Sequence, residues 1–269
     1  MTTDKPIWPL LEAKAHEASS VFTASGLIRE ARRQKGLSEA SVPRVCVLDP
    51  DGDLVRQLRL AGRLQRDGAW ACYHTELFRL HADGLEIGIV GCAVGAPFAV
   101  LVAEQLFACG CRLLISITSA GQLLPVGKPP YFILIDRALR DEGTSYHYLP
   151  ASRFSHAPAD ILRNLDGALG AARVPVLTGA TWTTDAPFRE TADAIAARRD
   201  EGLLAVEMEA AALYAFAQAT GNSVVCFAHV TNQMAQISGD FDKGEADGTV
   251  DALNLIKAVI SRSAAAEIL

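Results

Sequence analysis

Glu207 and Glu209 stand two residues apart in Val206-Glu207-Met208-Glu209-Ala210-Ala211-Ala212-Leu213, where an apolar run from Leu203 gives way to a small-residue helical stretch. Carboxylates at the end of a buried strand are costly unless they are partnered. The paired hydroxyls of a sugar are suitable partners, since each can donate to a carboxylate oxygen. Acids also gain from the dipole at a helix start, so the same string can open an ordinary helix. A second group lies in Asp49-Pro50-Asp51-Gly52-Asp53-Leu54-Val55-Arg56, directly after an apolar run. A strand entering a glycine turn and then a helix aims backbone N–H groups at an anion, and Arg56 adds a bidentate charge partner. D-P and D-G steps also mark plain surface turns. A later run ends in His229-Val230-Thr231-Asn232-Gln233. There Asn232 can hydrogen-bond a ring or carbonyl but cannot act as an acid at neutral pH.

Short apolar, β-branched runs that could position these groups recur at 44–48, 85–91, 113–118, 131–135, 174–177, 203–206 and 223–230. Helical patterns at 97–108, 159–169, 209–219 and 250–264 lie between or after several of them. Continuous apolar strands alternating with helices predict an α/β domain: three layers, α/β/α, around a central mixed, mostly parallel sheet. Pro97 suits the first turn of its helix and Gly110 its C-terminal stop. An amphipathic helix is predicted over 24–36, ending in Gly36. It belongs to an N-terminal helical extension, residues 1–40, before a single catalytic domain over 41–269. Disorder is expected only in the first few residues.

Composition narrows the function classes. The 269 residues are half hydrophobic and carry a net charge of −6, which argues against a nucleic-acid partner. No apolar run reaches the roughly 18 residues needed to span a bilayer. The N-terminus has no basic head followed by an apolar stretch, so a secretory signal is not expected. The six cysteines, Cys46, Cys72, Cys92, Cys109, Cys111 and Cys226, sit mostly in apolar runs and suggest a reducing, cytoplasmic setting. Cys109-Gly110-Cys111 lacks a second Cys/His pair, so no metal site is predicted.

The Val206–Ala212 string resembles the ribose-binding signature of the nucleoside phosphorylase family, the purine nucleoside and uridine phosphorylases. The resemblance extends over roughly residues 44–265 and is nearest to uridine-phosphorylase-like members. It implies ribose contacts from Glu207, Met208 and Glu209. Gly52-Asp53-x-x-Arg56 resembles the family's phosphate loop, with the Gly52 amide and Arg56 on phosphate. In Ser116-Ile117-Thr118-Ser119-Ala120-Gly121, Ser119 and Gly121 match the second phosphate segment, but Ser116 replaces an arginine and Thr118 a glycine. Arg137, Arg140 and Arg189 are candidate substitutes for the missing cation. A further family arginine, lent by a neighbouring subunit, falls in Tyr73-His74-Thr75-Glu76, where His74 could take its place. Gly91-Cys92-Ala93-Val94-Gly95-Ala96-Pro97 resembles a glycine-rich family turn, expected to pack around the site.

The Thr183–Glu190 segment resembles the family's base-pocket wall, with Phe188 as a flat apolar face and Arg189 as a carbonyl partner. It could equally be a capped helix start, with Thr184 or Asp185 at the N-cap and Pro187 in the first turn. Arg140–Tyr148 resembles a segment near the pocket mouth, from which His147 would reach the ribose, or else a subunit-contact loop. Asn232 sits where the family meets the departing base. The resemblance implies reversible phosphorolysis of uridine or a 6-oxopurine nucleoside by a pentosyltransferase, with Asn232 and Glu209 catalytic. Phosphate would be a co-substrate, with no cofactor or metal. It also implies a homo-oligomer, a hexamer built from dimers, without nucleic-acid or membrane partners. Ser116 leaves open a hydrolytic nucleosidase of the same fold, and a nucleoside-binding protein without turnover is a further alternative.

Overall fold

The apolar runs become strands of one ten-stranded mixed sheet. The structure is a computed structural model that describes residues 8–82, 84–165, 167, 169–234 and 238–265. The strands are β1 (Val45–Asp49), β2 (Leu64–Arg66), β3 (Phe78–Ala82), β4 (Leu85–Gly91), β5 (Leu113–Gln122), β6 (Tyr131–Asp141), β7 (Phe154–His156), β8 (Val176–Thr184), β9 (Ala205–Glu207) and β10 (Ser223–Asn232). The helices are α1 (Ala24–Lys35), α2 (Asp53–Leu60), α3 (Ala96–Ala108), α4 (Ala159–Leu165), α5 (Ala192–Asp200), α6 (Ala210–Thr220) and α7 (Thr249–Ala265). The two longest ladders, β5 with β10 and β6 with β8, are parallel, while β2, β3 and β7 add antiparallel edges. β10 bonds both β5 and β6, and β9 bonds both β5 and β8. Strands β5, β10, β6, β8 and β9 therefore close on one another, β1, β4, β3 and β2 extend from β5, and β7 adds to β6.

Helices cover both faces, as a sheet buried on both sides requires. α1, α3 and α6 pack on one face against Cys46, Leu48, Leu114 and Cys226. α2, α4 and α7 pack on the other against Val47, Ile89, Ile115 and Phe227. α6 is apolar on all sides, and every residue from Ala210 to Ala217 is buried. Its small alanines let it lie close on the sheet. Tyr214 pins it there, donating to Ile135 O at 2.6 Å and accepting from Cys226 N at 3.0 Å.

Four strands outrun the apolar stretches that announce them. β5, β6, β8 and β10 continue into polar residues at their C-terminal ends: Thr118–Gln122, Asp136–Asp141, Thr181–Thr184 and Thr231–Asn232. β5 and β10 run parallel, so their ends face one crevice, while β6 and β8 run in the opposite sense to β10. α1 starts under a Thr23 cap and stops at Gly36, whose φ is 64°. It lies within the first helical layer, with Ile28 and Ala31 buried. The disorder expected in the first few residues falls on 1–7, outside the described residues. No helix among the described residues is long and apolar enough to cross a membrane.

Candidate active site

Glu207 ends β9 with its carboxylate buried beneath β8. Oε1 accepts from the hydroxyls of Thr181, at 3.1 Å, and Thr183; Oε2 accepts from the amides of Glu209, at 2.8 Å, and Ala210, at 2.7 Å. Burial pushes this carboxyl upward, and the four donors pull it back. All its acceptor capacity is spent inside the protein, so Glu207 does not face a sugar. It caps the start of α6 and orients the next residues.

Glu209 is the N-cap residue of α6 and only 1% exposed. Its side chain turns towards the start of α3, where Gly95 N donates to Oε1 at 2.7 Å, and Met208 N lies 3.3 Å from Oε2. Burial first, and then the nearby Glu207 charge, push Glu209 up to about 8, while the Gly95 amide and the Thr118 hydroxyl pull it down. Met208, half-buried, lies between the two glutamates. The Gly91–Pro97 turn, expected only to pack, thus donates a hydrogen bond to the site.

The next residue on β5, Ser119, reaches the other end of the site. Its amide donates to Asp51 Oδ2 at 2.7 Å, so the chain's own carboxylate sits on the residue expected to hold phosphate. Gly52 has φ 76°, and a Cβ there would lie 2.6 Å from Cys92 Sγ, so this turn requires glycine. Arg56 is bound to Asp53 and to Asp247, 3.0 Å away, and shares a surface depression with Asp51 and Gly52. Asp49, buried at the end of β1, accepts from Val55 N at 2.9 Å, and burial raises it to about 7. Ser116 lies inside the sheet with its hydroxyl unpartnered.

Asn232 follows a bulge in β10 and pairs with Gly121. Its Oδ1 accepts from Met234 N at 2.9 Å, and its Nδ2 donates to Thr231 Oγ1 at 3.1 Å. A Cβ at Gly121 would lie 2.6 Å from Met234 Sδ, 3.3 Å from Val206 Cγ1 and 3.5 Å from Asn232 Oδ1. Asn232 therefore sits over the same β5–β9 junction that leads into Glu207 and Glu209.

Other predicted contacts are not brought together. His147 lines a groove of about 840 Å³ with His16, Glu104, Phe216 and Thr220. It therefore lies along the Phe216–Thr220 part of α6 and not beside Gly95 and Thr118. Phe188 is 99% exposed and Arg189 is exposed, on a short 3-10 turn that projects from the sheet. The helix after them is capped by Thr191, not Thr184 or Asp185. Arg140 is buried and spends its guanidinium on Ser145, Ser152, Leu149 and Pro150. Arg137 stacks on Phe154. None of the three arginines makes a hydrogen bond to the Asp49–Arg56 turn among the described residues. His74 is exposed, edge-on to Phe98 in the first turn of α3. No group of side chains suited to a metal ion occurs among the described residues.

A family model, the phosphorylase superfamily, matches residues 45–263. The chain belongs to the nucleoside phosphorylase family. It is 26% identical over 180 residues to a guanosine phosphorylase of Halorubrum lacusprofundi, covering 67% of this chain and 69% of that one. It is 30% identical over 142 residues to a DeoD-type purine nucleoside phosphorylase of Bacillus cereus, covering 51% of this chain and 60% of that one. A uridine phosphorylase of Vibrio fischeri superposes with a TM-score of 0.70 at 21% identity, over 84% of this chain and 97% of that one. A purine nucleoside phosphorylase of Toxoplasma gondii, crystallised with immucillin-H, gives 0.68 at 19% identity, over 82% and 90%.

Within this nucleoside phosphorylase fold, Asp51 and Gly95 are site residues that sequence patterns did not single out. The acids of the turn were visible, but nothing local placed Asp51 on an amide 68 residues away. The raised Glu209 carboxyl has a measurable consequence. A carboxyl at about 8 when folded, against 4.5 for a free glutamate, binds its proton more tightly in the folded state. The associated stability is complete below about pH 4.5 and is lost as pH rises through about 8. Glu209→Gln, which stays neutral, should therefore lose less Tm than the wild type between about pH 5 and pH 8.5. Calorimetric scans across that range check this, and parallel Tm slopes would contradict it.

Proposed function

We propose that this protein cleaves the N-glycosidic bond of a ribonucleoside with inorganic phosphate as acceptor, releasing the free base and ribose 1-phosphate. The observation that carries this reading is the junction at the end of β5. The Thr118 hydroxyl faces the Glu209 carboxyl and lowers it, and the amide of Ser119 is held by an anionic oxygen. A sugar-binding carboxylate and an acceptor subsite thus share one strand end. In this reading Glu209 holds the 2′ and 3′ hydroxyls and Met208 packs beneath the ribose. Gly52, Arg56 and Ser119 hold phosphate. The sugar passes through an oxocarbenium-like state, so rate comes from positioning and electrostatics rather than from a covalent intermediate. Asn232 stabilises the departing base by hydrogen bonding. Its amide suits a carbonyl-bearing ring, and the guanosine and uridine enzymes among its relatives support a 6-oxopurine or uracil base. This chemistry asks for no metal or cofactor.

A second reading replaces phosphate with water. Asp51 on the Ser119 amide and the absence of a guanidinium at Ser116 favour it. Base release from uridine, inosine, guanosine and adenosine, with and without phosphate, separates the two. Phosphorolysis predicts phosphate-dependent release from uridine or a 6-oxopurine nucleoside. Glu209→Ala should lower kcat/KM at least about a hundredfold with the fold intact, the scale of losing one preorganised polar contact to the reacting sugar. Release indifferent to phosphate would establish hydrolysis, and a near-wild-type Glu209→Ala would remove the ribose assignment.

The same reading includes a cytoplasmic homo-oligomer, a hexamer built from dimers in which His74 completes a neighbour's pocket. Free cysteines support the compartment. An exposed apolar face near His74 supports the assembly, with Tyr73 44%, Val94 51% and Leu101 39% exposed. Light scattering on the wild type should give a mass well above one chain, and a fully active monomer would rule out the shared pocket.

A further inference from the structure

Asp51 occupies an unusual position for a carboxylate in a site read as binding phosphate. Its Oδ2 lies 2.7 Å from Ser119 N. Asp51 is exposed, and among the described residues its carboxylate has no other hydrogen-bond partner, so it can leave this amide for solvent by giving up a single bond. The surroundings do little to favour a second anion. Arg56 is shared between Asp53 and Asp247, and Lys243 is paired with Asp53. A cavity of about 30 Å³ adjoins the contact, lined by Asp49, Asp51, Thr118, Ser119, His229 and Thr249 among others. Thr249 Oγ1 is buried there with no partner. A water molecule there would satisfy such a hydroxyl.

We propose that Asp51 is the specificity-determining residue for the acceptor: its carboxylate competes with phosphate for the Ser119 amide and so decides whether phosphate or water takes the sugar. The inference rests on the reading of this site as one that cleaves a nucleoside's glycosidic bond. With Asp51 seated, water is the acceptor. Its oxygen bonds to the anomeric carbon as the C–N bond breaks. The bonding pair leaves with the base, which takes up a proton from solvent, and the proton lost by water passes to the Asp51 carboxylate. With Asp51 turned out, a phosphate oxygen forms the same bond and no proton need be removed. Like charges at hydrogen-bond range exclude one another, so the two anions alternate at the amide.

Asp51→Ala and Asp51→Asn in the full chain test this. The asparagine keeps the size and an acceptor oxygen while removing the charge. Inorganic phosphate is titrated calorimetrically, and base release is measured with and without phosphate. In both variants phosphate should bind at least about tenfold more tightly, phosphate-independent release should fall by a similar factor, and KM for nucleoside should change little. Two folded variants that bind phosphate no better than the wild type would overturn the competition. Phosphate-dependent turnover with an unchanged phosphate KM in both variants would leave the phosphorolytic reading standing and refute this one. Tighter phosphate binding without base release from any nucleoside would uphold the competition and refute the nucleoside reading.

Discussion

The Glu207 carboxylate, with two threonine hydroxyls of β8 on one oxygen and two amides of α6 on the other, is the constraint from which the site geometry follows. It joins a strand, a strand end and a helix start at one buried point. Thr183 extends the junction by accepting from Ala211 N at 2.9 Å. The helix that begins there can be apolar all round because its first amides are already satisfied and Tyr214 secures its middle. Glu209 then has one direction left to face, towards Gly95 and Thr118. Losing the Glu207 side chain would strand two hydroxyls and two amides, each costing about 1–3 kcal/mol when buried without a partner.

Charge is distributed unevenly along the site. At the start of α6, the buried Glu209 carboxyl is raised to about 8, chiefly by burial. At the acceptor end, Asp49 is raised to about 7, and Asp53 and Asp247 are balanced by Arg56 and Lys243. His229 stacks on Phe132 at 4.5 Å and is lowered to about 4 by burial, so it contributes a neutral ring and no compensating charge. The Asp49–Arg56 turn and its neighbours therefore hold more carboxylates, Asp49, Asp51, Asp53 and Asp247, than cations, Arg56 and Lys243, before any ligand arrives. A family arginine at position 116 would have shifted this end towards binding an anion.

Sequence periodicity reports burial, and this explains which parts of the architecture were legible. The apolar runs 85–91 and 113–118 mark β4 and the buried part of β5, and Ala210–Thr220 appears as a helix because its small residues follow a strand end. The edge strands β2 and β7 and the helix α5 carry mixed sequences and little core, and they left no comparable trace, whereas α2 follows the glycine turn that announces it. Glu209 was legible for a physical reason, a carboxylate at a buried strand end. His147, Phe188 and Arg140 were placed by analogy with segments, and the structure puts them respectively beside the far end of α6, on an exposed turn and in a buried hydrogen-bond cluster. The contacts that define the site join residues far apart in the chain, Glu209 to Gly95 across 114 positions and Ser119 to Asp51 across 68. No local pattern encodes such pairs.

On the proposed function, a sugar-binding carboxylate and an acceptor subsite are contiguous at the end of β5. Ribose 1-phosphate carries both groups in one molecule, so its calorimetric Kd, set beside those of ribose and inorganic phosphate, tests contiguity directly. Linked groups that reach both subsites at once bind more tightly than either alone. The account predicts that ribose 1-phosphate binds at least tenfold more tightly than either fragment, and that Glu209→Ala removes this advantage while leaving phosphate binding in place. Equal affinity for ribose 1-phosphate and phosphate, unchanged by Glu209→Ala, would contradict it.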